Sequence, residues 1–160
     1  ILRYRMISVG KISERFYAQG VAEYLKRLTP YVSWELVEGL EEKLPPRAGV
    51  KDIEKVLNKE GERILALLGD RELLVVLDSH GTMLTSEELA GCMQDWHLSG
   101  VSRVNLIIGG PHGLAEKVNK RADRIIAFSR LTFPHQLAAL ITAEQIYRGF
   151  KIIKGEPYHK

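Results

Sequence analysis

The residues best placed to do chemistry lie in two short loops and at the end of the chain. Ile107-Ile108-Gly109-Gly110-Pro111-His112-Gly113 is a β-branched run that breaks into glycines where the next segment turns helical. Glycine lets a ligand approach the main chain, and the free N–H groups at a helix start offer hydrogen bonds. Taken alone, this loop reads equally well as a tight strand-to-helix turn. Phe128-Ser129-Arg130-Leu131-Thr132-Phe133-Pro134-His135-Gln136 forms a second loop of the same kind, so the two could share one pocket. Tyr158 and His159 sit in a short polar tail after Gly155 and Pro157, where side chains have little to do in a core. Neither a dinucleotide-type G-x-G-x-x-G nor a P-loop is present, and Gly10-Lys11 after the first strand is too little for a phosphate cradle.

The other reactive residue types carry less. Cys92 is the only cysteine, which excludes an internal disulfide and leaves no cysteine-based metal spacing. It falls in an amphipathic stretch and reads as a small buried residue. His80, His97 and His112 lie on separate segments without metal-ligand spacing, so all three are expected at the surface without a role. His135 follows Pro134 at a helix start, where the dipole disfavours an imidazolium, and this points to a hydrogen-bonding or structural role. No metal is expected.

Alternating strands and helices must position these loops. Tyr4–Val9 reads as a strand, Glu14–Leu28 as an amphipathic helix closed by Pro30, and Tyr31–Val37 as a second strand. A charged loop over Glu38–Gly49 leads into a long helix over Val50–Leu68. Leu73–Leu77 is an uninterrupted apolar run ending at Asp78, expected as a central strand. Thr85-Ser86-Glu87-Glu88 is a helix-start pattern ahead of Leu89–Leu98. Val104–Ile108, Leu114–Lys120 and Ile125–Phe128 follow as strand, short helix and strand, and Pro134 opens a last helix running through Phe150. The repeated β-α order implies an α/β fold with a mostly parallel sheet covered on both faces. Its ligands belong at the carboxyl ends of the strands, where Leu77, Gly109 and Phe128 all fall.

The length of 160 residues and 45% hydrophobic content suit one domain over residues 1–160 with a single core. No apolar run spans a bilayer, and the opening Ile1-Leu2-Arg3-Tyr4-Arg5 lacks a leader's apolar block, so a soluble, cytoplasmic protein with no membrane partner is expected. The net charge of +3 is unevenly spread. From Leu114 onward there are nine Lys or Arg against four Asp or Glu, while the first 113 residues carry fourteen against sixteen. A basic final third on a near-neutral body suits a polyanion such as RNA, or else is a solvated helix face.

These motifs also carry a family resemblance. Ile107–Gly113, Arg121-Ala122-Asp123, Phe128–Gln136, Glu144-Gln145-Ile146-Tyr147-Arg148 and the ending Gly155-Glu156-Pro157-Tyr158-His159-Lys160 resemble the ribosomal RNA large subunit methyltransferase H family of the SPOUT superfamily. Ser8-Val9-Gly10-Lys11, Glu23-Tyr24 with Lys26-Arg27, and Lys59–Leu65 extend the likeness over the whole chain. The resemblance implies an S-adenosylmethionine-dependent enzyme that methylates N3 of a pseudouridine in 23S ribosomal RNA, acting on assembled ribosomes as a homodimer. It also implies a trefoil knot in the carboxy-terminal part, which general topology rules would not suggest.

Carried onto this chain, the resemblance assigns the cofactor to Leu77, Gly109, Gly110 and the run Phe128, Ser129, Arg130, Leu131, Thr132 and Phe133. Leu131 and Phe133 would cover apolar ring surface, unless they are ordinary core. Attack by an imide nitrogen is helped by a group that takes its proton, and His159, with Tyr158, is the candidate for that work. Arg130, Arg148, Lys154 and Lys160 would meet RNA phosphates. Where relatives carry an arginine this chain has Ala139, so that charge would have to come from elsewhere, Arg148 being the candidate. The final helix carries Leu137, Leu140, Ile141, Ile146 and Tyr147 on more than one side, and part of this surplus, Tyr147 included, is expected to face a partner subunit. Two other readings stay open: a non-catalytic RNA-binding or ribosome-assembly protein of the same fold, and a SPOUT ribose 2′-O-methyltransferase.

Overall fold

The computed structural model describes residues 2–160, which leaves Ile1, where the opening run and the one-domain span begin, outside the described residues. Five strands, β1 (Arg3–Ser8), β2 (Ser33–Glu38), β3 (Glu72–Met83), β4 (Arg103–Ile108) and β5 (Arg124–Ala127), alternate with five helices. These are α1 (Arg15–Leu28), α2 (Val50–Leu67), α3 (Ser86–Leu98), α4 (Glu116–Arg121) and α5 (His135–Lys154). The strands form one sheet in the order β2-β1-β4-β3-β5, and every pairing is parallel. β1 and β4 are buried along almost their whole length, as expected for strands covered on both faces. The middle place belongs to β4; β3, expected to be central, is an inner strand between β4 and β5.

Side-chain alternation divides the core into two layers. Tyr4, Val75, Val104, Leu106 and Ile126 pack under Leu28, Leu89, Met93, Ile146 and Phe150 from α1, α3 and α5. Ile7, Leu74, Val76 and Ile107 face the opposite way, against Ile64 of α2 and Val118 of α4. α3 starts where Thr85-Ser86-Glu87-Glu88 predicts. The Thr85 hydroxyl accepts from the Glu88 N–H at 3.0 Å, and the Glu88 carboxylate accepts from the Thr85 N–H at 2.8 Å. α5 ends at Gly155, whose φ of 66° is the left-handed conformation that glycine adopts without strain.

α5 lies between α1 and α3, which accounts for its apolar residues on two sides. Ile146 and Tyr147 are buried within the chain, Tyr147 against the rings of Tyr24, Tyr31 and Tyr158. Tyr147 is therefore part of this chain's own packing, not the free dimer contact anticipated from the helical pattern. Ala139 is fully buried in a cluster with Met6, Ile12, Val21 and Ile108, so its small side chain closes a core and leaves no gap in an exposed basic face.

His97 departs from the expected surface position. It is half-buried, its Nε2 bonds the Tyr4 hydroxyl at 2.7 Å, and its ring stacks on Phe150. Burial, aided by the positive charge of Lys154, lowers its pKa from the ordinary histidine value, while burial pushes the Tyr4 phenol up. A histidine whose pKa is depressed by folding binds protons more readily when unfolded. Its contribution is complete above about pH 6.5 and is lost as pH falls towards the folded-state pKa. The urea midpoint should thus fall on acidification through that window, and His97→Asn should reduce the pH-dependent part of the loss.

A charged network ties the amino ends of the strands on the α2 side. The nearly buried Arg5 donates to the Leu67 carbonyl at 3.0 Å and stands 3.9 Å from Glu72 and 3.4 Å from Glu35. Glu72 also accepts from Asn105 Nδ2 at 3.0 Å and lies 3.7 Å from Arg103. Removing one partner of a buried pair leaves the other charge uncompensated, so Glu72→Ala should cost about 3 kcal/mol in urea unfolding. Glu35 is half-exposed, and Glu35→Ala should cost less than about 1 kcal/mol.

Candidate functional site

Both glycine-bearing loops open on one cleft at the carboxyl ends of β3, β4 and β5. β3 pairs with β4 as far as Leu77, opposite Ile108, and its pairing with β5 shifts register between Leu77 and Thr82. The strand therefore runs on to Met83, past the end expected at Asp78. At this shift β3 passes so close to β5 that a side chain on Gly81 would lie 2.6 Å from the Ile125 carbonyl oxygen. β4 stops at Ile108 and turns through Gly109 and Gly110, with the Gly113 N–H donating to the Gly110 carbonyl at 3.0 Å.

The third wall comes from the chain after β5. Phe128–Pro134 leaves the edge strand and delivers α5 to the far side of β4, where His135 Nε2 donates to the Lys11 carbonyl at 3.1 Å. Gln136 there accepts from the Glu14 N–H at 2.8 Å. A side chain on Gly10 would collide with the His135 ring, so Gly10 serves to seat that helix start. Three inter-strand steps of about 4.8 Å separate β5 from β1, and seven residues reach at most about 23 Å when extended. Seven residues therefore cross the strand tips with slack for the bends at Phe128, Arg130 and Leu131. The Ser129 hydroxyl accepts from the Leu131 N–H at 3.0 Å, and the Arg130 guanidinium donates to the Ser79 carbonyl, tying this segment to β3.

The cleft has a volume of about 470 Å³, which suits a nucleoside-sized ligand. Leu77, Gly109, Gly110, Phe128, Ser129, Leu131, Thr132 and Phe133 line it, as anticipated. Leu131 is 70% exposed and Phe133 half-buried, so both stand at the cleft wall and not in the packed clusters. Arg130 does not line the cleft; its Nη1 donates to the Ser79 carbonyl, and the rest of the guanidinium is exposed. Asp78, His80, His112 and Asn119 line the cleft unforeseen. Extending the period-2 alternation of β3 beyond Val76 would have placed Asp78 and His80 on the same face.

The charge of the cleft is as informative as its shape. Its lining holds the Asp78 carboxylate, 3.3 Å from His80 Nδ1, and among the described residues no Lys or Arg. Such a wall disfavours a polyphosphate and suits an uncharged or cationic ligand. No group of three or more side chains suited to a metal ion occurs among the described residues.

The tail residues lie elsewhere. Tyr158 and His159 are absent from the cleft lining and fold onto the outer side of α5 and the start of α3. The Tyr158 hydroxyl donates to Glu144 Oε2 at 2.7 Å, and Arg148 forks onto the same oxygen through Nε and Nη2. His159 lies between Arg148, 3.0 Å from Nδ1, and Glu87, 2.5 Å from Nε2. Burial alone would raise the Glu144 pKa, but hydrogen bonds from Arg148 and Tyr158 hold it below the usual carboxylate range. Burial and the Glu144 hydrogen bond push the Tyr158 phenol well up. Arg148 is thus engaged within the chain, whereas Lys154 and Lys160 are exposed.

Comparison with known proteins agrees with this architecture. Residues 2–159 match the family described as Predicted SPOUT methyltransferase. The chain is 57% identical over 159 residues to the Ribosomal RNA large subunit methyltransferase H of Syntrophomonas wolfei, covering 99% of this chain and all of that protein. Proteins of the same name from Carboxydothermus hydrogenoformans and Enterococcus faecalis are 48% and 43% identical. The first covers 97% of this chain and 98% of its own length, the second 99% and 100%.

The link from Arg130 to Ser79 joins two cleft walls at the surface. Arg130→Ala should speed amide hydrogen exchange in residues 129–133 and at His80 while leaving the global unfolding midpoint unchanged, as a hydrogen-exchange mass spectrum and a urea titration would show.

Proposed function

The chain belongs to the SPOUT methyltransferase family, and on that premise we propose that it methylates N3 of a pseudouridine in 23S ribosomal RNA with S-adenosylmethionine as donor. It acts on assembled ribosomes in the cytoplasm, as a homodimer of one domain spanning residues 1–160. The observation that carries the donor assignment is the cleft at the strand tips, sized for a nucleoside and lined by one carboxylate without Lys or Arg. S-adenosylmethionine, when bound, supplies an electrophilic methyl group on a positively charged sulfur. Main-chain groups of Gly109, Gly110, Phe128, Ser129, Leu131, Thr132 and Phe133 would hold its adenosine part, Leu77, Leu131 and Phe133 would cover apolar surface, and Asp78 would complement the positive charge.

The homodimer reading is supported by the position of the tail. Tyr158 and His159, the residues read as working on the imide proton, are tied to Glu144, Arg148 and Glu87 outside their own chain's cleft. A second copy supplies them, so that the tail of one subunit completes the site of the other. They orient the target imide and ease loss of its proton, and alignment of nitrogen with the methyl carbon supplies much of the remaining acceleration. Lys154 and Lys160 meet RNA phosphates, with Arg130 at the cleft edge, while Arg148 acts through the tail. The trefoil knot comes from the family, and the passage of Phe128–Pro134 from the edge strand β5 to the β1 side is compatible with it.

Calorimetry and methyl transfer to ribosomes test this reading. A Cβ on Gly110 would meet no atom nearer than 3.9 Å, so Gly110→Val should fold normally yet weaken donor binding by about tenfold or more by filling the cleft. Mass spectrometry of nucleosides from treated ribosomes should reveal N3-methylpseudouridine. A ribose 2′-O-methyl product would move the assignment to the other SPOUT chemistry. RNA binding without donor binding would identify a non-catalytic assembly protein.

A further inference from the structure

The tail network contains an acidic residue that the roles above leave unused. Glu144 lies in α5, half-buried, and its Oε2 accepts from three donors: Arg148 Nε at 3.1 Å, Arg148 Nη2 at 2.8 Å and the Tyr158 hydroxyl at 2.7 Å. Its Oε1 accepts from Gln145 Nε2 at 2.6 Å. Gln145 in turn accepts from the Ser86 hydroxyl, which connects the cluster to the start of α3. A phenol has one hydrogen to donate and lone pairs with which to accept. Once Tyr158 has given its hydrogen to Glu144, its oxygen faces a substrate only as an acceptor.

The imidazole is set in the same way. An Arg N–H can only donate, so the 3.0 Å contact from Arg148 makes His159 Nδ1 the acceptor. The ring hydrogen then lies on Nε2 and points at Glu87 Oε1, 2.5 Å away. Both nitrogens of His159 are occupied in this arrangement, whereas the Tyr158 oxygen keeps accepting capacity. Of the two tail residues, Tyr158 is the one arranged to receive an imide N–H.

We propose that Glu144 is a positioning residue for methyl transfer: by accepting the Tyr158 hydrogen bond and gripping Arg148, it presents the phenol oxygen as an acceptor for the N3–H of the target base. As nitrogen bonds the methyl carbon and the carbon–sulfur bond breaks, the N3 proton passes to that oxygen while the phenol hydrogen shifts to the Glu144 carboxylate and on to solvent. This rests on the proposed function, in which the tail serves the target nucleobase. Glu144 touches neither donor nor base and acts only through Tyr158 and Arg148. The groups that surround Tyr158 are Glu144 and Arg148 of α5, Tyr147 beneath its ring and Tyr24 of α1, with His159 next in the chain. Of these, Glu144 is the anion that favours the protonated phenol.

Glu144→Gln tests the assignment, because the amide is nearly isosteric but can donate to Tyr158 and reverse its hydrogen bond. The expected result is a fall in kcat of about tenfold or more, with KM for ribosomes and donor affinity within about twofold. Tyr158→Phe should cause a similar loss, and the double variant should lose no more than the larger single one. Independently of activity, the 13Cζ resonance of Tyr158 should titrate at lower pH in Glu144→Gln than in the native chain. An unchanged kcat in a variant that binds donor and ribosome normally overturns the proposal, as does multiplicative loss in the double variant or an unmoved phenol titration. Failure of the native chain to modify ribosomes would count against the proposed function, and the titration would still decide whether Glu144 governs Tyr158. Should Glu144→Gln unfold, Ser86→Ala, which releases Gln145 at the far side of the cluster, should give a smaller kcat loss in the same direction, and full activity there overturns the proposal.

Discussion

The path of Phe128–Pro134 constrains everything built around the cleft. β5 lies at the sheet edge and α5 begins beside the end of β1, so a short linker has to cross the tips of β3 and β4. A short linker laid over strand ends stays largely at the surface, and Arg130, Leu131, Thr132 and Pro134 are exposed. Its backbone groups and the side chains of Leu131 and Phe133 remain at the wall of a cavity whose other walls are the ends of the strands it crosses. Gly109 lets the β4 turn close tightly on Gly113, and the Ser129 and Arg130 hydrogen bonds hold the crossing segment in place. The binding cleft is thus a consequence of connectivity.

Charge is distributed to match. The cleft carries a carboxylate and no cationic side chain among the described residues, whereas the positive excess of the final third lies on α4, α5 and the tail. A cationic donor and a polyanionic RNA would therefore meet surfaces of opposite sign on one small protein. Much of the positive charge is already committed: Arg148 to Glu144 and His159, Arg121 to Asp123, Lys151 to Glu156 at 4.0 Å and to the rings of Tyr31 and Tyr147. Counting Lys and Arg overstates what remains for phosphate. The exposed lysines at 154 and 160 are better placed for it than the arginines.

The order of strands and helices was legible because each element announces itself locally. Uninterrupted apolar runs at β1 and β4 read as strands covered on both faces, Thr85 and Glu88 form the capping box their spacing suggests, and Gly155 ends α5 in the left-handed conformation. The loops that line the cleft were legible for the same reason, since glycines after apolar strands can be recognised without knowing what they face. β3 was cut short because its apolar run stops at Leu77, while pairing with β5 carries the strand on to Met83 through polar residues. Asp78 and His80 were missed as cleft residues with it.

Sequence alone determined the α/β alternation and the glycine-bearing loops at the strand tips that line the cleft, because these follow from local periodicity and turn chemistry. Tertiary structure decided which surfaces those residues meet. Tyr147 and Ala139 became interior when α5 settled between α1 and α3, and His97 was half-buried against Phe150 and Tyr4, the latter 93 positions away. The tail's polar side chains were engaged by Glu144, Arg148 and Glu87. Periodicity shows that a helix has a second apolar face, but only the packed neighbours show whether this chain or another covers it, since burial depends on contacts between residues far apart in sequence.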